Sequence, residues 1–88
     1  MLLGASDDWT PARICVALAG RDTARVRAEV FPDANHGFDA PSGQVRELSG
    51  LASTGRGGGM ATIGPNAAAR ETVRAMVPAF IASLPPAP

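Results

Sequence analysis

The sequence contains no lysine and no tyrosine, and it has one cysteine, one histidine and one tryptophan in 88 residues. A lone cysteine excludes an internal disulfide framework, so a reducing setting, the cytoplasm, is expected. Cys15 and His36 together fall short of the donor set a structural zinc site needs, and neither a metal nor a cofactor is expected. Eight basic residues, all arginine, balance eight acidic ones for a formal net charge of zero. The chain therefore carries no overall field to attract nucleic acid, an anionic membrane or an acidic substrate. No apolar run approaches the ~18–20 residues of a membrane span, and Met1-Leu2-Leu3-Gly4 lacks the basic and long apolar regions of a secretory leader. The length allows one small domain, and a 45% hydrophobic content is enough to collapse it.

What is present reads as strand, helix, strand, loop, helix. Met1 to Leu3 is a short apolar run ended by Gly4, Ser6, Asp7 and Asp8, which suits the end of a buried strand. Thr10-Pro11 is a helix-start signal, and Ile14, Cys15, Leu18 and Ala19 pair at i, i+4 up to Gly20, predicting a helix over about 11–19. Residues 25–31 alternate, with Val26, Ala28 and Val30 on one face, and read as a strand near a sheet edge. Glycines and serines crowd the stretch from Asp39 to Gly64, which is expected to be a long mobile loop. From about Asn66 onward, Val73, Met76, Val77, Phe80, Ile81 and Leu84 recur at helical spacing, with Pro78 expected to kink the helix. Residues 85–88, rich in proline, read as an extended tail, leaving residues 1–84 as the domain.

The fold class expected is α/β with parallel strands. Two parallel strands joined by a crossover helix form a βαβ unit, and such sheets normally have both faces covered. Two strands cannot supply that sheet, and the stripe on the last helix also needs a surface, so the chain is expected to be part of a larger α/β domain.

The single histidine lies in Asn35-His36-Gly37-Phe38-Asp39, just after the second strand, and Gly4-Ala5-Ser6-Asp7-Asp8-Trp9 leaves the first. Turns at the carboxyl ends of parallel strands converge on one crevice. An aspartate there can accept the imidazole Nδ1–H, leaving Nε2 to face a nucleophile, and acid before histidine is the chain order of α/β-hydrolases. Asp7 and Asp8 are both placed for this.

These segments resemble the dienelactone hydrolase family of the α/β-hydrolase superfamily. Gly4-Ala5-Ser6-Asp7-Asp8-Trp9-Thr10-Pro11 is similar to the family's glycine-x-x-aspartate turn with a following proline. Val30-Phe31-Pro32-Asp33-Ala34-Asn35-His36-Gly37-Phe38 resembles its strand, turn and His-Gly-Phe signature, and Gly64-Pro65-Asn66 leading into an apolar helix resembles its C-terminal end. The resemblance spans nearly the whole chain and covers the last part of the family's domain. It implies hydrolysis of a small-molecule ester or lactone, with Asp7 as the triad acid and His36 as the general base. Asp8 is the alternative acid, and Asp39 a turn residue. Trp9 and Phe38 are expected to line the pocket, packing being the alternative for both.

Two departures qualify the expectation. The family's nucleophile elbow, Gly-x-Cys/Ser-x-Gly, and its oxyanion donors have no counterpart before Asp7, so the isolated chain is expected to be inactive. Cys15 follows the acid inside a predicted helix and reads as a buried small hydrophobe, while Ser42 and Ser49 sit in the expected loop without rigid placement. The arginine that in the family's namesake lies four residues after the histidine is Ala40 here, which disfavours dienelactone itself. A serine carboxylesterase or prolyl-oligopeptidase-like relative would carry a similar acid turn and His-Gly-Phe.

Other signals carry less. Gly57-Gly58-Gly59 lacks the Lys-Ser/Thr and preceding strand of a phosphate loop, and one Arg56-Gly57-Gly58 is too little for nucleic-acid binding. A non-enzymatic interaction module, docking through Val73, Val77, Phe80 and Leu84, is the reading from a different class.

Overall fold

The computed structural model describes residues 1–87; Pro88, the last residue of the expected tail, lies outside them. The architecture is mixed α and β. Strand β1 (Leu2–Gly4) leads through helix α1 (Ala12–Ala19) to β2 (Glu29–Phe31); β3 (Arg46–Leu48) and β4 (Ala61–Ile63) follow, then helix α2 (Ala67–Ser83). β1 and β2 pair in parallel, Leu3 opposite Val30 and Gly4 opposite Phe31, so β1–α1–β2 is the βαβ unit the sequence pattern predicts.

The segment from Asp39 to Gly64 is not one long mobile loop. It holds the antiparallel pair β3–β4, with Glu47 opposite Thr62 and Leu48 opposite Ala61. Three-residue strands are too short to show the period-2 alternation that marks a strand, and glycine density masks them further.

The second strand is also shorter than the predicted 25–31. After α1 the chain keeps turning: Arg21 N–H donates to Leu18 O at 3.1 Å, and Val26 N–H donates to Asp22 O at 2.9 Å. Gly20 thus sits in right-handed geometry (φ −63°) instead of reversing the chain as a left-handed stop. On the strand itself Val30 is exposed, while Phe31, on the face that carries the charged residues of the alternation, packs on Phe38 with ring centroids 5.4 Å apart. Likewise Ile14 and Leu18 on α1 face solvent, and Ala19 is the residue buried there. Thr10 does not cap α1; Pro11 holds that position without a side-chain cap, and the Thr10 hydroxyl is engaged elsewhere.

Helix α2 starts where its signal lies. Asn66 Oδ1 accepts from Ala69 N–H at 3.0 Å, satisfying one of the free donors of the first turn. The helix runs through Pro78 to Ser83. Its first turns bury Ala69 with Ala34 and Phe38, against Leu2, Phe31 and Val73, and this is the core. Beyond Val73 the stripe is uncovered: Val77, Phe80, Ile81 and Leu84 are exposed, Ile81 to 62%. A cavity of about 420 Å³ lies between α2 (Met76, Val77, Phe80) and Met1, Leu2 and residues 23–27.

Two glycines set close approaches. Gly4 lies where a Cβ would come within 2.8 Å of the Ala34 carbonyl carbon, so the turn after β2 rests on the backbone of β1. At Gly64, φ +143°, a Cβ would come within 2.5 Å of Val45 Cα. Gly4→Ala is expected to lower the unfolding free energy by about 1–3 kcal/mol through overpacking. Gly20→Ala, in right-handed geometry where a Cβ would meet the Ala17 and Val16 carbonyl oxygens at ordinary contacts of 3.4 and 3.6 Å, is expected to raise it by about 0.4–1 kcal/mol. Urea midpoints of the two variants moving in the same direction would contradict this packing.

Candidate active site

The parallel pairing delivers both chemistry-bearing turns to one end of the sheet. Ala5 N–H donates to Phe31 O at 2.8 Å and Ser6 N–H to Ala34 O at 2.9 Å, so the turn after β1 is bonded to the turn after β2. The His36 turn is closed by Asp33 in left-handed conformation (φ 57°), a geometry aspartate tolerates. It is then held from the far side: Gly64 N–H donates to His36 O at 3.1 Å, Asn66 N–H to Phe38 O at 2.9 Å and Asn66 Nδ2 to Asp33 O at 3.2 Å.

Asp7 and His36 meet within this frame. Asp7 Oδ2 lies 3.0 Å from His36 Nδ1. The other carboxylate oxygen, Oδ1, accepts Trp9 N–H at 2.9 Å and Thr10 N–H at 2.8 Å, the turn that an aspartate side chain closes on its own downstream backbone. Thr10 Oγ1 donates to Oδ2 at 3.1 Å and stands 3.4 Å from His36 Nδ1. An ionised carboxylate only accepts, so the bond to the neutral ring requires the proton on Nδ1. Nε2 is then the basic nitrogen, and it has no hydrogen-bond partner among the described residues. The Asp7 side chain is 11% exposed and that of His36 39%, which shields the bond while leaving the ring reachable.

Trp9 stacks beside the imidazole, ring centroids 4.7 Å apart and planes tilted by 38°. Trp9 and His36 line a depression of about 270 Å³ with Ala40, Ser42, Arg46 and Ile63. Phe38 is not part of it: that ring is buried in the core on Phe31, because its side chain projects inward from the turn that sends His36 outward. Ser42 shares the wall of the depression, whereas Cys15 and Ser49 do not, and no hydrogen bond links Ser42 to His36. No histidine or cysteine lines the larger cavity under α2, whereas His36 lines the smaller one.

Asp8 points away from the imidazole. Its Oδ1 accepts Thr62 N–H at 2.7 Å and its Oδ2 accepts Thr62 Oγ1 at 3.0 Å, with Arg56 Nη1 at 3.8 Å. The Thr62 backbone N–H foremost, then its hydroxyl and the Arg56 charge, hold the Asp8 carboxyl below its ordinary value of 3.8 against the opposing effect of burial. Thr10 and Thr62 are thus parts of the site beyond Asp7, His36 and Trp9. Thr10, three residues after Asp7, was legible as a partner of the acid turn, but its helix-start signal drew it into a different role. Thr62 had no signal, being a lone threonine far along the chain. Among the described residues no group of three or more His, Cys, Asp or Glu side chains could hold a metal ion, and no helix is long and apolar enough to cross a membrane.

No family model, curated protein or solved structure matches this chain.

Asp8 also makes stability depend on pH. Its carboxyl titrates lower in the folded chain than in the unfolded one, so its stabilisation is fully present above the unfolded value of 3.8 and is lost as pH falls through the lower folded value. Asp8→Asn is expected to be less stable than the parent near neutral pH, with the gap closing as pH falls below 3.8. Urea midpoints across an acid series measure it; a gap independent of pH would contradict the assignment.

Proposed function

We propose that Asp7 and His36 are the acid and base of a hydrolytic site of the dienelactone hydrolase type, acting on a carboxylic ester or lactone. On this reading β1–α1–β2 and α2 are the C-terminal part of an α/β-hydrolase fold, and a polypeptide segment other than residues 1–88 supplies the Cys or Ser nucleophile. The observation that carries the proposal is the 3.0 Å contact between Asp7 Oδ2 and His36 Nδ1, with His36 lining a depression of about 270 Å³.

The chemistry follows from that geometry. His36 Nε2 takes the proton of the nucleophile as its oxygen or sulfur bonds to the carbonyl carbon, and Asp7 stabilises the imidazolium so formed. The imidazolium returns the proton to the leaving alkoxide as the C–O bond breaks. Water then repeats the sequence, releasing the acid and restoring the nucleophile. The single unpaired thiol of Cys15 suits a reducing, cytoplasmic setting.

The test begins with the DNA immediately upstream, translated in all frames, where a Gly-x-Cys/Ser-x-Gly elbow is expected. The chain produced together with that segment is expected to hydrolyse p-nitrophenyl esters, with Asp7→Asn lowering kcat on the order of 10⁴-fold. Labelling by a fluorophosphonate rather than by iodoacetamide would select the serine esterase or prolyl-oligopeptidase-like relative over the cysteine enzyme. Undiminished hydrolysis in His36→Gln would overturn the proposal.

A different observation favours a second reading, in which the α2 stripe is an interface between two copies of the chain. The chain exposes 6095 Å², whereas a compact monomer of 9.0 kDa exposes about 4,900 Å². The excess exceeds the ~800 Å² that each partner buries in a standard-size interface. Val73 is already taken by the core, leaving Val77, Phe80 and Leu84 for the contact. Light scattering behind size exclusion is expected to give a dimer that Phe80→Glu splits; a monomer, or a dimer indifferent to Phe80→Glu, would remove this reading.

A further inference from the structure

Among the described residues, the most connected group that the acid–base pair does not itself use is the second carboxylate of the turn, Asp8, with Thr62 and Arg56. Asp8 receives both donors of Thr62, at 2.7 and 3.0 Å. The glycine-rich connection between β3 and β4 lies across the same turn: Gly55 N–H donates to Trp9 O at 2.9 Å and Arg56 N–H to Asp8 O at 2.8 Å. Arg56 Nη1 sits between Asp8 Oδ2 at 3.8 Å and Glu47 Oε1 at 3.3 Å, tying that connection back to β3. Gly55 is pressed onto Pro11 so closely that a side chain there would strike the ring.

The other end of β4 holds the histidine. Ile63 bridges to His36, and Gly64 N–H donates to His36 O at 3.1 Å. Consecutive residues of one strand therefore grip both halves of the pair, Thr62 on the acid turn and Ile63-Gly64 on the histidine turn. The 3.0 Å contact between Asp7 and His36 joins two turns that each follow a strand of only three residues; Ser6 N–H on Ala34 O and the contacts of Thr10 and Trp9 with the imidazole are the other ties between them.

We infer that Thr62, through its paired hydrogen bonds to Asp8, is a positioning residue that sets the distance between Asp7 and His36, and that the β3–β4 hairpin is a splint for the site. The inference rests on the reading of Asp7 and His36 as an acid–base pair. Removing the Thr62 hydroxyl takes away one of the two bonds and leaves its backbone N–H on Asp8. The acid turn then gains freedom to rotate, and the Asp7–His36 bond weakens.

The imidazole tautomer reports that bond directly, through the ¹⁵N shifts of Nδ1 and Nε2 in the labelled full chain at a pH where the ring is neutral. The parent is expected to hold the Nδ1–H form. Asp7→Asn is expected to reverse the preference, since its amide offers Nδ1 a donor. Thr62→Val is expected to reduce the ratio of Nδ1–H to Nε2–H by about two- to tenfold, the range for loss of one hydrogen bond. Thr62→Ser, which restores the hydroxyl, is expected to recover it. A ratio unchanged in Thr62→Val but reversed in Asp7→Asn would overturn the splint and leave the pair intact. A ratio unchanged in Asp7→Asn would overturn the pair itself. Should Thr62→Val unfold, Arg56→Gln, which removes the outer tie and leaves both Thr62 bonds, is expected to shift the ratio in the same direction, and its failure to do so would count against the splint.

Discussion

A carboxylate steers an imidazole only when its own orientation is settled, and in this chain the accounting of lone pairs around Asp7 settles it. Oδ1 is occupied by the backbone of Trp9 and Thr10, while Oδ2 receives the Thr10 hydroxyl and faces His36 Nδ1. The turn closes on its own aspartate, so the acid is oriented by residues within three positions of it. The histidine is different. Its placement depends on parallel pairing of β1 with β2, on the Gly4–Ala34 approach and on Gly64 and Asn66 beyond β4. The pair is thus a locally built acceptor and a globally placed donor.

The rest of the molecule divides along the same line. At the carboxyl ends of β1 and β2, polar groups are matched to one another, and no buried side-chain nitrogen or oxygen among the described residues lacks a partner. Along the two helices, apolar side chains stand open: Phe80 is 53% exposed and Ile14 59%. Alanines make up most of the buried set, and the one large member is Phe38. A core of this kind supplies little hydrophobic stabilisation, so hydrogen bonding among the turns carries an unusual share of the order around the site.

Legibility in the sequence followed the range of the interactions concerned. Helix α2 and its Asn66 cap were readable because helical period and capping are set within a few residues. The βαβ unit was readable from one apolar run, one helix signal and one alternating segment, although the last overstated the strand by four residues, since the turns after α1 extend to Arg25 and residues 26–28 are irregular. The β3–β4 hairpin was hidden by glycine content and by strands too short to alternate. Phe38 was assigned to the pocket from its place beside His36, but neighbouring residues on a turn project in different directions, and its ring went to Phe31.

The same distinction governs the site. From residue types and order alone came an acid turn, a later histidine and their position after successive strands, because those depend on short patterns with fixed local geometry. Which of two adjacent aspartates faces the imidazole was a tertiary matter. Asp8 is drawn off by Thr62, 54 positions along the chain, and Asp7 is left to His36. A donor that distant reaches its acceptor only after the chain has folded, and no local pattern in the sequence records the approach.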